Sequence, residues 1–227
     1  MSDAAQAPDA GQVAWFAERF ATIETNVARV IRGKTPQIHL ALVCMFAEGH
    51  LLLEDVPGIG KTTMAKAIAR SLGCSFRRIQ FTPDLMPSDI TGINYYNQKL
   101  GEFVFREGPL IAQVVLADEI NRATPRTQAA LLEAMEERQL TVEGVTTVLP
   151  RPFLVVATQN PVELEGTFRL PEAQLDRFLV RLRLGYPDEA DEDEILRRFE
   201  TSNPLDTREP VIGGDELVRL SAALRNL

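Results

Sequence analysis

Leu51-Leu52-Leu53-Glu54-Asp55-Val56-Pro57-Gly58-Ile59-Gly60-Lys61-Thr62-Thr63 reads as strand, loop and helix in immediate succession. An apolar run breaks at Pro57 and Gly58, passes Gly60-Lys61-Thr62, and continues with helical spacing through Ala65, Ile68 and Leu72. In such a loop the backbone N–H groups point inward at phosphate oxygens, and the helix behind it adds the positive end of its dipole. Lys61 is then expected to contact the outer phosphates and Thr62 a magnesium ion, with Pro57, Gly58, Ile59, Gly60 and Thr63 completing the cradle. The usual pattern G-x-x-x-x-G-K-S/T has glycine where this chain has Asp55; Pro57, Gly58 and Gly60 are expected to supply the curvature instead.

A second stretch, Val114-Val115-Leu116-Ala117-Asp118-Glu119, answers the first. Asp118 ends an apolar strand, where an ionised carboxylate is costly unless something binds it, and magnesium on nucleotide phosphates would do so. Glu119 can act on the water that attacks the terminal phosphate, as general base or orienting acceptor. Asn160 follows a further apolar strand over residues 153–157, and strand ends of an open parallel sheet face its ligand crevice. Its amide either holds the attacking water or the terminal phosphate, or serves as a turn residue before Pro161. Arg177, after the short polar helix of residues 171–176, reads from the residues alone as a surface ion-pair partner.

Length and composition set limits on the rest. The 227 residues suffice for one main core, residues 1–187 with a loose tail at 1–10, followed by a linker and further helix over 188–227. No apolar run approaches the roughly 20 residues that cross a bilayer, and the start lacks the pattern of a secretory signal, so a soluble cytoplasmic protein is the expectation. Cys44 and Cys74 form no C-x-x-C pair and are expected to be buried reduced thiols. His39 and His50, the only histidines, belong to no ligand-spaced cluster, which speaks against zinc or a Ser-His-Asp centre. A formal charge of −8 argues against nucleic acid as the main partner.

Along the chain, apolar residues spaced by three or four predict a helix from Val13 to Ile31 ending at Gly33, and a second from Thr35 with Thr35-Pro36 as cap and first turn. Strands are expected at 51–54, 76–81, 114–118, 153–157 and 178–184, with a helix over 125–138. Residues 93–96 and 102–105 flank one hairpin turn, and 140–142 and 145–148 flank another at Glu143-Gly144. Strands alternating with helices imply an α/β fold, a five-stranded parallel sheet covered on both faces. Six of the seven residues 188–194 are acidic, read as a solvated helix start; residues 201–210 read as a linker and 215–227 as one amphipathic helix.

The ordered motifs Thr82-Pro83-Asp84-Leu85-Met86-Pro87-Ser88-Asp89, Ala117-Asp118-Glu119-Ile120-Asn121-Arg122-Ala123, Gln128-Ala129-Ala130-Leu131-Leu132-Glu133-Ala134-Met135-Glu136-Glu137, Ala157-Thr158-Gln159-Asn160-Pro161 and Leu170-Pro171-Glu172-Ala173-Gln174-Leu175-Asp176-Arg177-Phe178 resemble the MoxR family of AAA+ ATPases. The likeness covers roughly residues 30–185, and Asp55 fits it, because that family resembles this chain in writing Glu-Asp-Val-Pro-Gly before the lysine. It implies a P-loop NTPase core binding ATP and Mg2+, with Lys61 and Thr62 as Walker A, Asp118 and Glu119 as Walker B, Asn160 as sensor 1, and Arg177 as an arginine finger acting on a neighbouring subunit. Val30-Ile31-Arg32-Gly33-Lys34 resembles the segment that packs on adenine. A finger in trans implies a homo-oligomeric ring, hexameric by the resemblance. The two hairpins resemble inserts that face the ring pore, where Tyr95, Tyr96, Phe103 and Phe105 would grip a protein client. The resemblance also implies a helical lid with a sensor 2 arginine beyond Leu227, and links the family to metalloenzyme maturation and to von Willebrand A domain partners. Two rivals are a nucleotide-gated scaffold with little hydrolysis and a nucleic-acid motor.

Overall fold

The computed structural model describes residues 10–56, 58–162, 166–187, 191–192, 194–195, 205 and 209–225. Helices α1 (Ala10–Ala28) and α2 (Thr35–Phe46) precede β1 (Leu51–Glu54), α3 (Lys61–Ser71) and β2 (Phe76–Gln80). A short α4 (Pro87–Thr91) leads into the hairpin β3 (Gly92–Asn97) and β4 (Glu102–Glu107). Next come β5 (Val114–Asp118), a 3-10 turn (Ile120–Arg122), α5 (Pro125–Glu137) and a second hairpin, β6 (Gln139–Val142) and β7 (Val145–Val148). The chain continues through β8 (Leu154–Gln159), α6 (Glu172–Leu175), β9 (Val180–Leu182) and α7 (Gly214–Arg225).

Five strands form one parallel sheet and the hairpins form separate antiparallel pairs, as the alternation and turn residues predict, and the order of the sheet is β2-β5-β8-β1-β9. Successive side chains on a strand point to opposite faces, and the two halves of the core follow that rule. Leu51, Leu53, Val114, Leu116, Leu154 and Val156 face α1, α2, α3 and α7. Leu52, Val115, Ala117, Val155 and Ala157 face the layer of α4 and α5. Burial on both faces explains why these strands are apolar throughout, and each large side chain so buried contributes about 1.5–3 kcal/mol. On α7, Leu217 and Leu220 are fully buried in the α1–α2 layer, with Arg19 Nε 2.9 Å from Glu216 at its margin.

Four local expectations needed adjustment. Thr35 is the first residue of α2 and caps nothing with its side chain; Lys34 holds the cap position. The helix α4 escaped the sequence reading, although Pro87 in its first turn and Asp89 Oδ2, which accepts the Met86 amide at 2.8 Å, both mark a helix start. β8 extends past Ala157 to Gln159, because Thr158 and Gln159 pair with Leu53 and Glu54. β9 is three residues rather than seven: it pairs only with Leu51 to Leu53 of the four-residue β1, while Phe178 and Leu184 turn into the two core layers.

The second hairpin turns through Glu143 (φ 49°) and Gly144 (φ 83°), the left-handed pair of a tight I′ turn. Asn94 Nδ2 donates to Glu143 Oε2 at 2.9 Å, so the two hairpins touch. His50 is buried beneath β1: its Nδ1 accepts the Val155 amide at 3.0 Å, and its Nε2 lies 3.1 Å from the Met135 carbonyl, a neutral ring bridging β8 and α5. Cys44 and Cys74 are both free, the first buried and the second half-buried, and burial pushes each thiol up to about 12. Residues 201–204 and 206–208 of the expected linker, and half of the acidic run, lie outside the described residues. Among the described residues no helix is long and apolar enough to cross a membrane.

Candidate functional site

The chain runs from β1 through α3 to the far edge strand β2, then returns through β5 and β8 to flank β1 again. That topology aligns the carboxyl ends of β1, β5 and β8, the place where an open parallel sheet receives its ligand. Register pairs Glu54 with Gln159 and Gln80 with Asp118, so the strand ends are level. A cleft of about 380 Å³ opens there, lined by Gly58, Gly60, Lys61, Thr62, Thr63, Arg78, Gln80, Asp118, Glu119 and Asn160.

Gly58 and Gly60 hold φ of 87° and 91°, and a Cβ at either would meet nothing within 4 Å. Their glycine requirement is therefore one of backbone conformation rather than space. Gly60 hands directly into α3 at Lys61, which places the first turn of the helix against the cleft. Lys61 Nζ donates to the carbonyls of Asp55 (2.6 Å) and Val56 (3.1 Å), inside its own loop. Burial holds its ammonium below the ordinary lysine range, and the charges of Asp118, Asp55 and Glu119 partly restore it. An anion arriving in the cleft would add to that restoring field.

Asp55 explains how the loop manages without the usual first glycine. Its Oδ2 accepts the Gly185 amide at 2.8 Å and its Oδ1 accepts the Val56 amide at 3.2 Å, so the carboxylate ties the loop to the segment leaving β9. Pro57 lies outside the described residues. Ile59 packs against the α-layer core, and Thr63 lines the cleft.

Asp118 is buried and both of its oxygens have partners: Thr158 Oγ1 donates to its Oδ1 at 2.6 Å, and Arg78 donates to its Oδ2 from Nη2 at 2.7 Å and Nε at 3.1 Å. Glu119 adopts φ 58°, ψ 49°, a left-handed conformation uncommon outside glycine, and its amide donates to the same Thr158 hydroxyl at 2.8 Å. Gln80 Nε2 donates to Glu119 Oε2 at 2.8 Å, and Arg78 Nη2 donates to Gln80 Oε1 at 2.6 Å. Asp118 at the end of β5 and Glu119 just after it are thus joined by a polar chain supplied by β2. Asn160 lines the cleft, and its Oδ1 accepts the Val162 amide at 3.1 Å, so the donor capacity of its side chain rests on Nδ2.

Of the residues expected at the site, Gly58, Gly60, Lys61, Thr62, Thr63, Asp118, Glu119 and Asn160 share this cleft. Arg177 does not line it; it forms an ion pair with Glu136 Oε2 on α5 at 2.7 Å. Gly33 (φ 65°) lies outside it too, where a Cβ would collide with Asp191, and its neighbour Lys34 donates to the Tyr186 carbonyl at 2.8 Å. The sequence reading missed Arg78, Gln80 and Thr158. The available signal was the i, i+2 spacing of Arg78 and Gln80, which puts both on one face of a strand, but nothing local says that β5 lies beside it.

A profile of the ATPase family associated with various cellular activities (AAA) matches residues 50–180. The chain is 54% identical over 202 residues to the Bacillus subtilis protein YeaC, an alignment covering 89% of this chain and 63% of that one. It is 44% identical over 228 residues to Chaperone MoxR1 of Mycobacterium tuberculosis, covering 99% of this chain and 60% of that one. The crystal structure of a Cytophaga hutchinsonii protein assigned as an ATPase superposes with TM-score 0.85 at 39% identity, over 93% of this chain and 64% of that chain. The fold and cleft define a P-loop nucleotide-binding core, and the chain belongs to the MoxR family of AAA+ ATPases. It spans about three fifths of the length of the curated relatives named here.

Proposed function

We propose that this chain binds ATP with magnesium in the Lys61 cleft, hydrolyses it, and couples hydrolysis to remodelling or maturation of protein clients. The observation that carries the reading is the convergence of Lys61, Thr62, Asp118, Glu119 and Asn160 on one cleft at the strand ends. The Thr62 hydroxyl and the Asp118 carboxylate are hard oxygen donors on residues that line the same cleft, the donor chemistry magnesium takes. Bound there, the metal supplies charge neutralisation on the phosphates. The remaining roles belong to the chain itself. Amides of the loop from Gly58 to Thr62 and the N-terminus of α3 cradle the phosphates, and Lys61 exchanges its loop carbonyls for a phosphate oxygen. Glu119, steered by Gln80, orients the attacking water and accepts its proton, and the Asn160 amide donates to that water or to the terminal phosphate.

The reading extends to assembly. Arg177, half exposed and away from its own cleft, is suited to reach a neighbour's nucleotide, which makes the active unit a homo-oligomeric ring, hexameric in the family pattern. Tyr96 and Phe103 stack edge to face at 5.4 Å, with Phe103 72% exposed, and form an aromatic grip on the first hairpin for an unfolded client segment. The chaperone name of the M. tuberculosis relative supports a protein client, and the resemblance to the family extends the proposal to metalloenzyme assembly and to a von Willebrand A domain protein as partner. A cytoplasmic location completes the proposal.

Turnover of ATP measured against protein concentration, with Glu119→Gln as the blank, tests it. Turnover per subunit that rises with concentration and vanishes in Glu119→Gln is expected. Equal hydrolysis by Glu119→Gln would sink the assigned chemistry.

A further inference from the structure

Asp118 is the only carboxylate that this reading gives to the metal, yet each of its oxygens already has a partner within the chain. The two partners are not equivalent. The Thr158 hydroxyl is completely buried, donates to Oδ1 and accepts the Glu119 amide, so withdrawing it would leave a buried carboxylate oxygen and a partly buried amide without that partner. The Arg78 side chain is 47% exposed and sits on the edge strand of the sheet, so it can leave Oδ2 and be hydrated. Arg78 places two N–H groups on Oδ2 and so takes both of that oxygen's lone-pair directions, which means that a divalent cation coming to Oδ2 has to displace at least one of them and would also meet the guanidinium charge at close range. Oδ2 is therefore a position with two exclusive claimants, of which only Arg78 is built into the protein.

We infer that Arg78 is an internal competitor of the metal: it holds Asp118 while the cleft lacks metal-bound nucleotide and has to release Oδ2 for that ligand to seat. The inference rests on the ATP reading above. Arg78 also donates to Gln80 Oε1 at 2.6 Å, and Gln80 in turn donates to Glu119 Oε2 at 2.8 Å. Release of Asp118 by Arg78 thus disturbs the residue that steers Glu119, so loading of the metal side and alignment of the water side are linked through β2. The edge position of β2 keeps this linkage at the surface of the sheet, where its cost in core packing is small.

The test measures binding rather than turnover. A fluorescent non-hydrolysable ATP analogue is titrated into the parent chain, Arg78→Gln and Arg78→Met, once with magnesium and once with EDTA. With magnesium, both neutral variants are expected to bind the analogue about fivefold more tightly than the parent or better, the scale of a partly exposed charge-assisted pair. In EDTA they are expected to bind no more tightly than the parent. Arg78→Lys, which keeps a cation beside Asp118, is expected to stay close to the parent, a distinction that a merely structural role would not produce. Unchanged or weaker binding of the neutral variants with magnesium overturns the inference while leaving the ATP reading intact. Failure of the parent chain to bind the analogue under either condition, matched by Lys61→Ala, overturns both.

Discussion

Thr158 Oγ1 stands 2.6 Å from Asp118 Oδ1, reaching across from the neighbouring strand. The same oxygen accepts the amide of Glu119 at 2.8 Å, so one hydroxyl positions both acids of the cleft and holds the left-handed turn at Glu119. Thr158→Val keeps the shape and removes the hydroxyl. It is expected to cost about 1–3 kcal/mol in denaturant unfolding, because a buried carboxylate oxygen and a partly buried amide lose their partner together. Thr158→Ser, which keeps the oxygen, is expected to recover most of that loss. A valine variant as stable as the parent would contradict this account.

Asp55 leads to a prediction opposite to what motif matching alone would say. Asp55→Gly restores the usual phosphate-loop pattern, yet it removes the acceptor of the Gly185 amide and adds backbone freedom. The variant is expected to be less stable by about 1–2 kcal/mol, whereas Asp55→Asn, which retains an acceptor oxygen, is expected to lie between it and the parent. Thermal unfolding of the three proteins decides the matter, and a stabilised glycine variant would refute the tie to Gly185.

His50 makes stability depend on pH. Burial is the main cause that lowers it from 6.5 to about 4, with the Met135 carbonyl opposing and Arg138 adding to the shift. The unfolded chain therefore takes up a proton before the folded one does. The contribution of the neutral ring is fully present above about pH 6.5 and is lost as pH falls from 6.5 to 4, amounting to about 3 kcal/mol over that window. His50→Asn is expected to be less stable near neutrality and to have a flatter pH profile between those limits. Parallel profiles in urea unfolding would rule the ring out as the source.

Arg177 and Glu136 separate a structural from a catalytic role. Their ion pair has side chains 36% and 58% exposed, so Arg177→Ala is expected to change stability by less than about 0.5 kcal/mol. ATP turnover is nevertheless expected to fall strongly, with binding largely kept, if the residue serves a neighbour's nucleotide. Mixing Arg177→Ala with Glu119→Gln subunits is then expected to restore part of the activity, since one interface of a mixed ring combines the intact glutamate of one subunit with the intact arginine of the other. Verified mixed rings that stay inactive would count against action in trans.

Local chemistry in the sequence determined a good deal of this protein. Apolar runs placed β1 and β5 to the residue, and Glu143-Gly144 between two β-prone runs marked the second hairpin, whose turn takes positive φ at both residues. The loop glycines with Lys61 and Thr62, together with Asp118, Glu119 and Asn160 at strand ends, make up most of the cleft and are legible in the sequence. These features are readable because side-chain periodicity and turn conformation are set by residues close in the chain.

Lateral strand order is set by crossover connections and by which faces pack, and no short window of sequence encodes it. The tertiary structure alone placed β2 beside β5, bringing Arg78 to Asp118 across 40 residues and Gln80 to Glu119 across 39. It alone joined Asp55 to Gly185 across 130 residues, and set Arg177 against Glu136 instead of its own cleft. Sequence thus determined which polar groups stand at the strand ends that line the cleft. The order of the strands decided which charges hold them, because a carboxylate's partner is whatever the neighbouring strand presents at the same level of the sheet.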